Sequence, residues 1–135
     1  RLQWAASLSD LWIIPQKATS MDAKATANLF EVDMPAIEGM RGGRPIPHRV
    51  LFTMRSPMLR PNNEQHIIDS TRKNSPVFDA ELLQYDAFAA LDLYGLTLEE
   101  VQSNKVANAG PARECTRAIL KQAIDDITAA DTAKG

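Results

Sequence analysis

Hydrophobic and polar residues alternate over residues 7–14, which is the pattern of a half-buried β-strand. The residues on the apolar face of this strand are Leu8, Trp12 and Ile14. Pro15 follows directly and has no amide N–H to donate to a neighbouring strand, so we expect it to end the element. The chain therefore opens with one short predicted strand.

The period of the hydrophobic residues then changes to that of a helix over residues 17–32. The residues at helical spacing are Met21, Ala25 and either Asn28 or Leu29. Either Ser20 or Asp22 can cap the N-terminus, because both side chains accept hydrogen bonds from free amides. The pattern predicts one amphipathic helix that ends before Pro35.

Residues 40–71 have the pattern of a long β-hairpin. A β-type run at 50–54 is followed by the turn-forming residues of 56–57 and 61–63 and then by a second short run. The far end of this predicted hairpin is basic rather than apolar, so it has no place in the chain's own core. A basic tip of this kind indicates a phosphate-bearing partner.

Beyond the hairpin, Asp79 is placed to cap a second helix that reaches Leu91 and buries apolar residues such as Phe88. Gly95 ends that helix, since glycine adopts the left-handed conformation without strain. Residues 96–101 have the period of a final strand. Thr97 and Glu100 have the spacing of a capping box, so the start of a helix at this point is the open alternative.

The last part of the chain combines a polar linker at 103–110 with an alanine-rich helix at 111–130. An apolar stripe runs along this predicted helix. Its members are Cys115, Ile119, Leu120, Ala123, Ile124 and Ile127. A lone exposed helix with such a stripe is expected to pack against a partner surface.

The predicted order is strand, helix, long hairpin, helix and strand, followed by a C-terminal helical extension. This order is that of an α/β plait, a ferredoxin-like α+β fold with an antiparallel sheet and two helices on one face. We expect a plait domain over residues 1–101 with a projecting hairpin at about 40–71. Residues 102–135 would form the linker and extension.

The distribution of charge changes the picture that composition alone provides. The chain has 135 residues, 44% of them hydrophobic, which is enough for one modest core. The formal net charge is -2, yet residues 41–73 contain seven basic and two acidic residues. That segment therefore carries a formal +5 and the rest of the chain -7. The sequence predicts a basic finger on an acidic body.

The single cysteine, Cys115, excludes an intrachain disulfide framework and a zinc site built from several cysteines. We expect no metal and no cofactor. Apolar runs stay well short of the ~20 residues that span a bilayer, so we expect a soluble protein. Because the chain begins at Arg1 rather than methionine, either it is trimmed or a targeting peptide has been removed.

Catalysis is the least favoured class of function. A small hydrolase or transferase would use His48 or His66 together with a carboxylate, or one of them with Cys115 as nucleophile. Neither histidine lies in a ligand or nucleophile motif such as H-x-x-x-H or C-x-x-C. The sequence therefore predicts a binding protein rather than an enzyme.

Two segments of the predicted hairpin resemble a known family. Residues 40–49, M-R-G-G-R-P-I-P-H-R, are similar to the V-R-G-P-I-P-L-P-T-R stretch of the universal small-subunit ribosomal protein ten family. Residues 52–57, F-T-M-R-S-P, are similar to its F-T-V-x-x-S-P, and the Arg-Ser-Pro form resembles organellar members. Residues 23–27 and Gln65 fall where the family has its Q-A-T-A helix segment and the glutamine of its next strand.

This resemblance implies a structural constituent of the head of a mitochondrial small ribosomal subunit, located in the matrix, with a plastid as the other option. It implies rRNA and neighbouring ribosomal proteins as partners, with no membrane and no small-molecule substrate. The residues expected to contact RNA are Arg41, Arg44, His48, Arg49, Arg55, Arg60, Arg72 and Lys73. The residues expected at protein interfaces are Met58, Leu59, Ile119, Ile124 and Ile127.

A second hypothesis keeps the plait and changes the partner. The chain would then be a paralogue in the large mitochondrial subunit, or a subunit of another organellar assembly that binds only proteins. This alternative predicts that no small-subunit rRNA lies along the hairpin.

Overall fold

The computed structural model describes residues 2–56, 61–103 and 106–134. Over these ranges the strands form one sheet in the order β1-β2-β3. The strands are β1 (Trp12–Gln16), β2 (His48–Arg55) and β3 (Leu82–Leu83). Both strand pairs are parallel, with Trp12 opposite His48 and Thr53 opposite Leu82.

One described helix precedes β1, others connect the strands, and the rest come after β3 in the chain. In chain order they are α1 (Leu2–Ser7), α2 (Ser20–Asn28), α3 (Met34–Met40), α4 (Asn62–Asn74), α5 (Asp86–Tyr94), α6 (Leu98–Ser103) and α7 (Ala109–Lys134). A π-helical turn, Leu29–Asp33, joins α2 to α3. Parallel strands need such crossover helices, because a tight turn can only join antiparallel neighbours.

The structure therefore differs from the predicted plait, whose strands would pair in antiparallel fashion. Alternate residues of β2 face two different cores, as expected of a strand that is covered on both faces. Val50 and Phe52 pack with Ile14 and Ile68, whereas Leu51 packs with residues of α7. Within the described ranges, no helix is long and apolar enough to cross a membrane.

The connection between β1 and β2 contains the predicted helix, but both ends of this helix differ from the prediction. Thr19, rather than Ser20 or Asp22, is the N-cap, and its hydroxyl accepts the Asp22 amide at 3.2 Å. The helical path does not end before Pro35. The wider π-helical turn precedes this proline, and Pro35 occupies the first turn of α3, where a missing N–H costs little.

The second arm of the predicted hairpin is a helix, α4. Its 13 residues place Glu64 in the first turn and basic residues in the last, in agreement with the helix dipole. Gln65 donates to Asp69 four residues on, at 2.8 Å, and Ile68 is buried against the sheet. The helical spacing of these contacts outweighs the short β-type run at 67–68, so the projecting hairpin is absent from the described residues.

For the segment after α4, some of the sequence predictions are wrong and others are confirmed. The predicted helix from Asp79 is replaced at its start by β3 and begins only at Asp86. Gly95 ends α5 with φ of 63°, as predicted. The capping-box alternative is also confirmed, because the Thr97 amide donates to Glu100 at 2.7 Å and the Glu100 amide donates to the Thr97 hydroxyl at 3.3 Å.

Helix α7 packs on the sheet and extends an apolar contact to α5 and α6. Ile119 and Ala123 share a buried cluster with Leu51 and Phe78. Ala109 and Ala112, at the start of α7, pack with Val101. The division at residue 101 stays a prediction, but the C-terminal helix shares its core with the strands.

Candidate functional site

The three described strands end at one edge of the sheet, because all of them run in the same direction. Gln16, Arg55 and Leu83 are the last residues of the strands. In open α/β proteins, ligands bind in the crevice outside the carboxyl ends of parallel strands. We therefore expect a ligand site at this edge.

Strand β2 is irregular where it reaches this edge. Thr53 pairs with Leu82 and Arg55 pairs with Leu83, so Met54 has no partner residue in β3 and forms a β-bulge. Met54 has a φ of 55°, which lies in the left-handed region that residues other than glycine rarely adopt. Met54 is also 60% exposed. Such conformations concentrate at binding sites, where the surrounding structure holds them in place.

An apolar cleft of about 250 Å³ lies beside this bulge. Its lining residues are Thr53, Met54, Leu82, Leu83, Gln84, Tyr85, Phe88 and Ala89. The rings of Tyr85 and Phe88 lie 6.2 Å apart between centroids and are tilted by 40°. The cleft thus combines aromatic and aliphatic walls with the amide of Gln84 and the hydroxyl of Thr53, which is the composition of a small-molecule site.

Arg55 supports this cleft from the inside of the protein. Its side chain is only 2% exposed, and it lies 3.4 Å from a Glu81 carboxylate oxygen and 3.6 Å from one of Glu64. Its carbonyl accepts the Gln84 amide at 2.8 Å. Arg55 therefore ties the end of β2 to the segment that lines the cleft.

Several arginines that were expected to bind RNA are occupied within the protein. Arg41 donates to the carbonyls of Ser7 and Ser9 at 2.9 and 3.0 Å. Arg49 forms a bidentate ion pair with Asp126 of α7, and this hydrogen-bonded pair raises the pKa of the Arg49 guanidinium. Arg41 thus joins the end of α3 to the end of α1, and Arg49 joins β2 to α7.

The other predicted site residues are scattered. Arg44, Arg72 and Lys73 are exposed, and half-buried His48 packs its ring 5.2 Å from that of Phe30. Arg60, Met58 and Leu59 lie outside the described residues. On α7, Ile119 is buried in the chain's own core, Ile127 is half-buried and Ile124 is exposed.

The cysteine and the two histidines lie in separate places. The Cys115 thiol donates to the Glu81 carbonyl at 2.6 Å, and burial raises the pKa of this thiol. The His48 ring nitrogen Nδ1 lies 2.9 Å from the Ile46 carbonyl, and His66 is exposed on α4. A raised pKa disfavours the nucleophilic thiolate, so this geometry does not support the hydrolase alternative.

The parallel sheet and the crossover helices form an open α/β architecture, and the cleft lies at the carboxyl edge of its sheet. Residues 4–133 match the family model described as VirC1 protein. The chain belongs to the VirC1 family. It is also similar to Protein ParA of Rhizobium radiobacter, with 29% identity over 127 residues, which cover 93% of this chain and 56% of that protein. The chain thus spans about half the length of this relative.

The family match overturns the ribosomal resemblance. A match over residues 4–133 covers nearly the whole chain, whereas the resemblance depended on two short segments. The role as a ribosomal constituent, the rRNA and ribosomal-protein partners and the mitochondrial location are therefore wrong, and so is the organellar paralogue. Since these partners are wrong, nothing supports the RNA contacts that were expected of the eight basic residues.

The misleading motif has a structural explanation. Gly42 and Gly43 adopt φ of 68° and 78° at the end of α3, where the Gly43 amide donates to the Glu38 carbonyl at 2.9 Å. The Pro-Ile-Pro stretch then leads into β2 and buries Ile46 under α1 and α3. The motif therefore ends a helix and starts a parallel strand.

Sequence reasoning missed the residues of the cleft. Leu82 and Leu83 were assigned to a helix, although a short apolar run before Gln84 is also typical of a buried strand. The bulge at Met54 has no signal in the sequence. Only the pairing with β3 shows that one residue of β2 is in excess.

Proposed function

We propose that this chain is part of a bacterial, cytoplasmic, ATPase-like protein of the partitioning class, with DNA or a partition complex as its partner. Membership of the VirC1 family and the similarity to Protein ParA support this class. The apolar cleft at the carboxyl edge of the parallel sheet is the observation that connects this proposal to particular residues.

The cleft suits the planar base of a nucleotide. A nucleobase offers two apolar faces and a rim of hydrogen-bonding groups, so it needs apolar walls and a few polar side chains. Leu83 and Phe88 provide apolar walls, and Gln84 provides an amide with both donors and an acceptor. The bulge that carries Met54 shapes the opening, and Arg55 holds it against β3.

The glycine pair is not the phosphate site of this proposal. Gly42 and Gly43 follow α3 and form its C-terminal cap, whereas a phosphate-binding loop follows a strand and precedes a helix N-terminus. The described residues thus support binding of the base rather than of the phosphates.

Filling the cleft is expected to abolish nucleotide binding. Ala89 is exposed and lines the cleft, so Ala89→Phe would place a ring in the space for the base. NMR titration of the 135-residue chain with ADP is expected to shift the Met54 methyl signal with a dissociation constant of about 1 mM. Ala89→Phe should weaken this binding by about tenfold or more.

The matched control is Ala118→Phe, because Ala118 is an exposed helical alanine that does not line the cleft. It should bind ADP as the unaltered chain does. The base-binding proposal fails if ADP leaves the Met54 signal unshifted at about 10 mM, or if both variants bind equally.

DNA binding is expected to involve the end of α4. Arg72 and Lys73 are both exposed in the last turn of this helix, and exposed cations of this kind neutralise phosphates. Arg72→Glu should weaken the binding of duplex DNA and reduce the slope of log affinity against log salt by about 1. Fluorescence anisotropy with a labelled duplex measures both quantities.

Lys24→Glu is the control for charge, because Lys24 is exposed on α2 rather than on α4. Equal losses for the two variants would show a nonspecific effect of net charge and would contradict a contact at the end of α4.

A further inference from the structure

A polar pocket of about 330 Å³ lies between α2 and α4 on one face of the sheet. We call it the α2–α4 pocket. Its uncharged hydrogen-bonding residues are Gln16, Thr26, Ser70, Thr71, Asn74 and Ser75. The residues that line it are all different from those of the apolar cleft beside Met54. The α2–α4 pocket is thus a separate cavity, and its volume suits a small ligand.

The pocket forms because small side chains meet where two helices cover the sheet. Ala23, Thr26 and Ala27 share one face of α2, and Ser70 and Thr71 of α4 line the other wall. Protein interiors are normally filled to the density of organic crystals by larger apolar side chains. The small residues at this junction leave a space whose walls carry hydroxyl groups.

Gln16 forms the buried floor of the α2–α4 pocket. It is the last residue of β1, shares a face of the strand with Ile14, and is only 2% exposed. Its side-chain nitrogen Nε2 lies 3.4 Å from the hydroxyl oxygen of Thr71. The Thr71 hydroxyl donates its single proton to the Ile67 carbonyl at 2.9 Å, so it can only accept from Gln16. This chain of hydrogen bonds fixes the orientation of the Gln16 amide.

The fixed orientation leaves one strong acceptor without a donor. No group of the described residues donates to the Gln16 oxygen Oε1, which is buried. A buried acceptor without a donor lowers stability, and a ligand that donates to it recovers this loss as affinity. A charged donor would lose its hydration at this floor, far from any compensating gain in water, so a neutral O–H or N–H is favoured.

The opening of the pocket restricts the charge of the ligand. Glu31 is exposed and is the only charged residue among those that line the pocket, so no cation is present to hold a phosphate or carboxylate. Phe30, its neighbour in the π-helical turn, is half-buried and provides a ring against which C–H groups can pack. Widened turns of this kind are frequent at functional sites.

We propose that the α2–α4 pocket binds a neutral, polyhydroxylated ligand of the size of a monosaccharide, with one hydroxyl donating to Gln16 Oε1. Each sugar hydroxyl can both donate and accept, so it can pair with the hydroxyls and amides of the walls. The apolar face of the sugar ring packs on Phe30, and Glu31 accepts a hydroxyl proton at the opening. This inference does not depend on nucleotide binding by the cleft.

NMR titration of the 135-residue chain with D-glucose, D-galactose and myo-inositol in turn tests the proposal. At least one of them should shift the signals of the Gln16 side-chain amide and the Thr26 backbone amide, with a dissociation constant of about 1 mM. The Met54 methyl signal should stay unshifted, which separates this site from the cleft. The proposal is overturned if none of the three shifts these signals at about 50 mM. It is also overturned if n-propylammonium chloride shifts them in place of the sugars.

Two variants locate the binding. Ala27→Phe should weaken it by about tenfold or more, because Ala27 is exposed and lines the pocket. Ala25→Phe is the matched control, since Ala25 is exposed on the same helix and does not line this pocket. Equal affinity of the two variants would contradict the site.

Gln16→Met tests the acceptor itself, because methionine keeps the length of the side chain and removes Oε1. The variant should fold, as checked by circular dichroism, and the sugar should no longer shift its Thr26 amide signal. Binding equal to that of the unaltered chain would overturn the role of Gln16.

Discussion

Arg55→Ala is expected to lower the free energy of unfolding by about 3–5 kcal/mol. The Arg55 side chain is 2% exposed, and the Glu81 side chain beside it is 10% exposed. Removing the guanidinium takes a counter-charge away from a largely buried carboxylate, and this costs more than the ion pair itself contributes. Urea denaturation followed by circular dichroism measures the change.

The double variant Arg55→Met, Glu81→Gln separates charge from packing. Methionine keeps much of the buried volume, and glutamine removes the charge that would be stranded. Glu64 is 37% exposed and can turn towards water. The double variant should recover most of the lost stability. A double variant as unstable as Arg55→Ala would contradict the charge-based explanation.

Ile119→Ala is expected to lower the free energy of unfolding by about 2–5 kcal/mol. Ile119 is 7% exposed and packs in the cluster that joins α7 to Leu51 of β2 and to Phe78. Truncation would leave a cavity between the helix and the sheet. Urea denaturation is again the measurement, with the loss of total helix content followed by far-ultraviolet circular dichroism.

Ile124→Ala is the matched control on the same helix, since Ile124 is 61% exposed. It should change stability by less than about 0.5 kcal/mol. Equal effects of the two variants would mean that α7 does not pack as described. The same experiment tests the proposed boundary at residue 101, because a separate extension would unfold in its own transition, whereas a shared core predicts a single one.

Local signals in the sequence were reliable where the chemistry is contained within a few residues. Gly95 ended α5, and Thr97 with Glu100 formed the capping box that the pattern left open. The β-type run at 50–54 lies within β2, and the apolar stripe of the last helix lies within α7. In each case the contacts that favour the element join residues close together in the chain.

Longer-range inferences from charge were wrong for a physical reason. A count of basic residues between 41 and 73 does not show which of them meet an acceptor within the same chain. Arg49 meets Asp126, which is 77 residues away, and Arg55 meets Glu64 and Glu81. Part of the formal +5 of this segment is thus neutralised in the fold by Asp126 and Glu81 from elsewhere in the chain, and no basic finger projects from the described residues.

Turns, caps and amphipathic periods therefore follow from the amino-acid sequence of this protein, because they depend on backbone conformation and on neighbours within one helical turn or strand. The parallel direction of the strands, the excess residue at Met54 and the pocket above Gln16 depend on which distant segments pair or pack. Strand pairing is settled by the burial of whole elements against each other. The cleft and the α2–α4 pocket therefore emerged only from the tertiary structure.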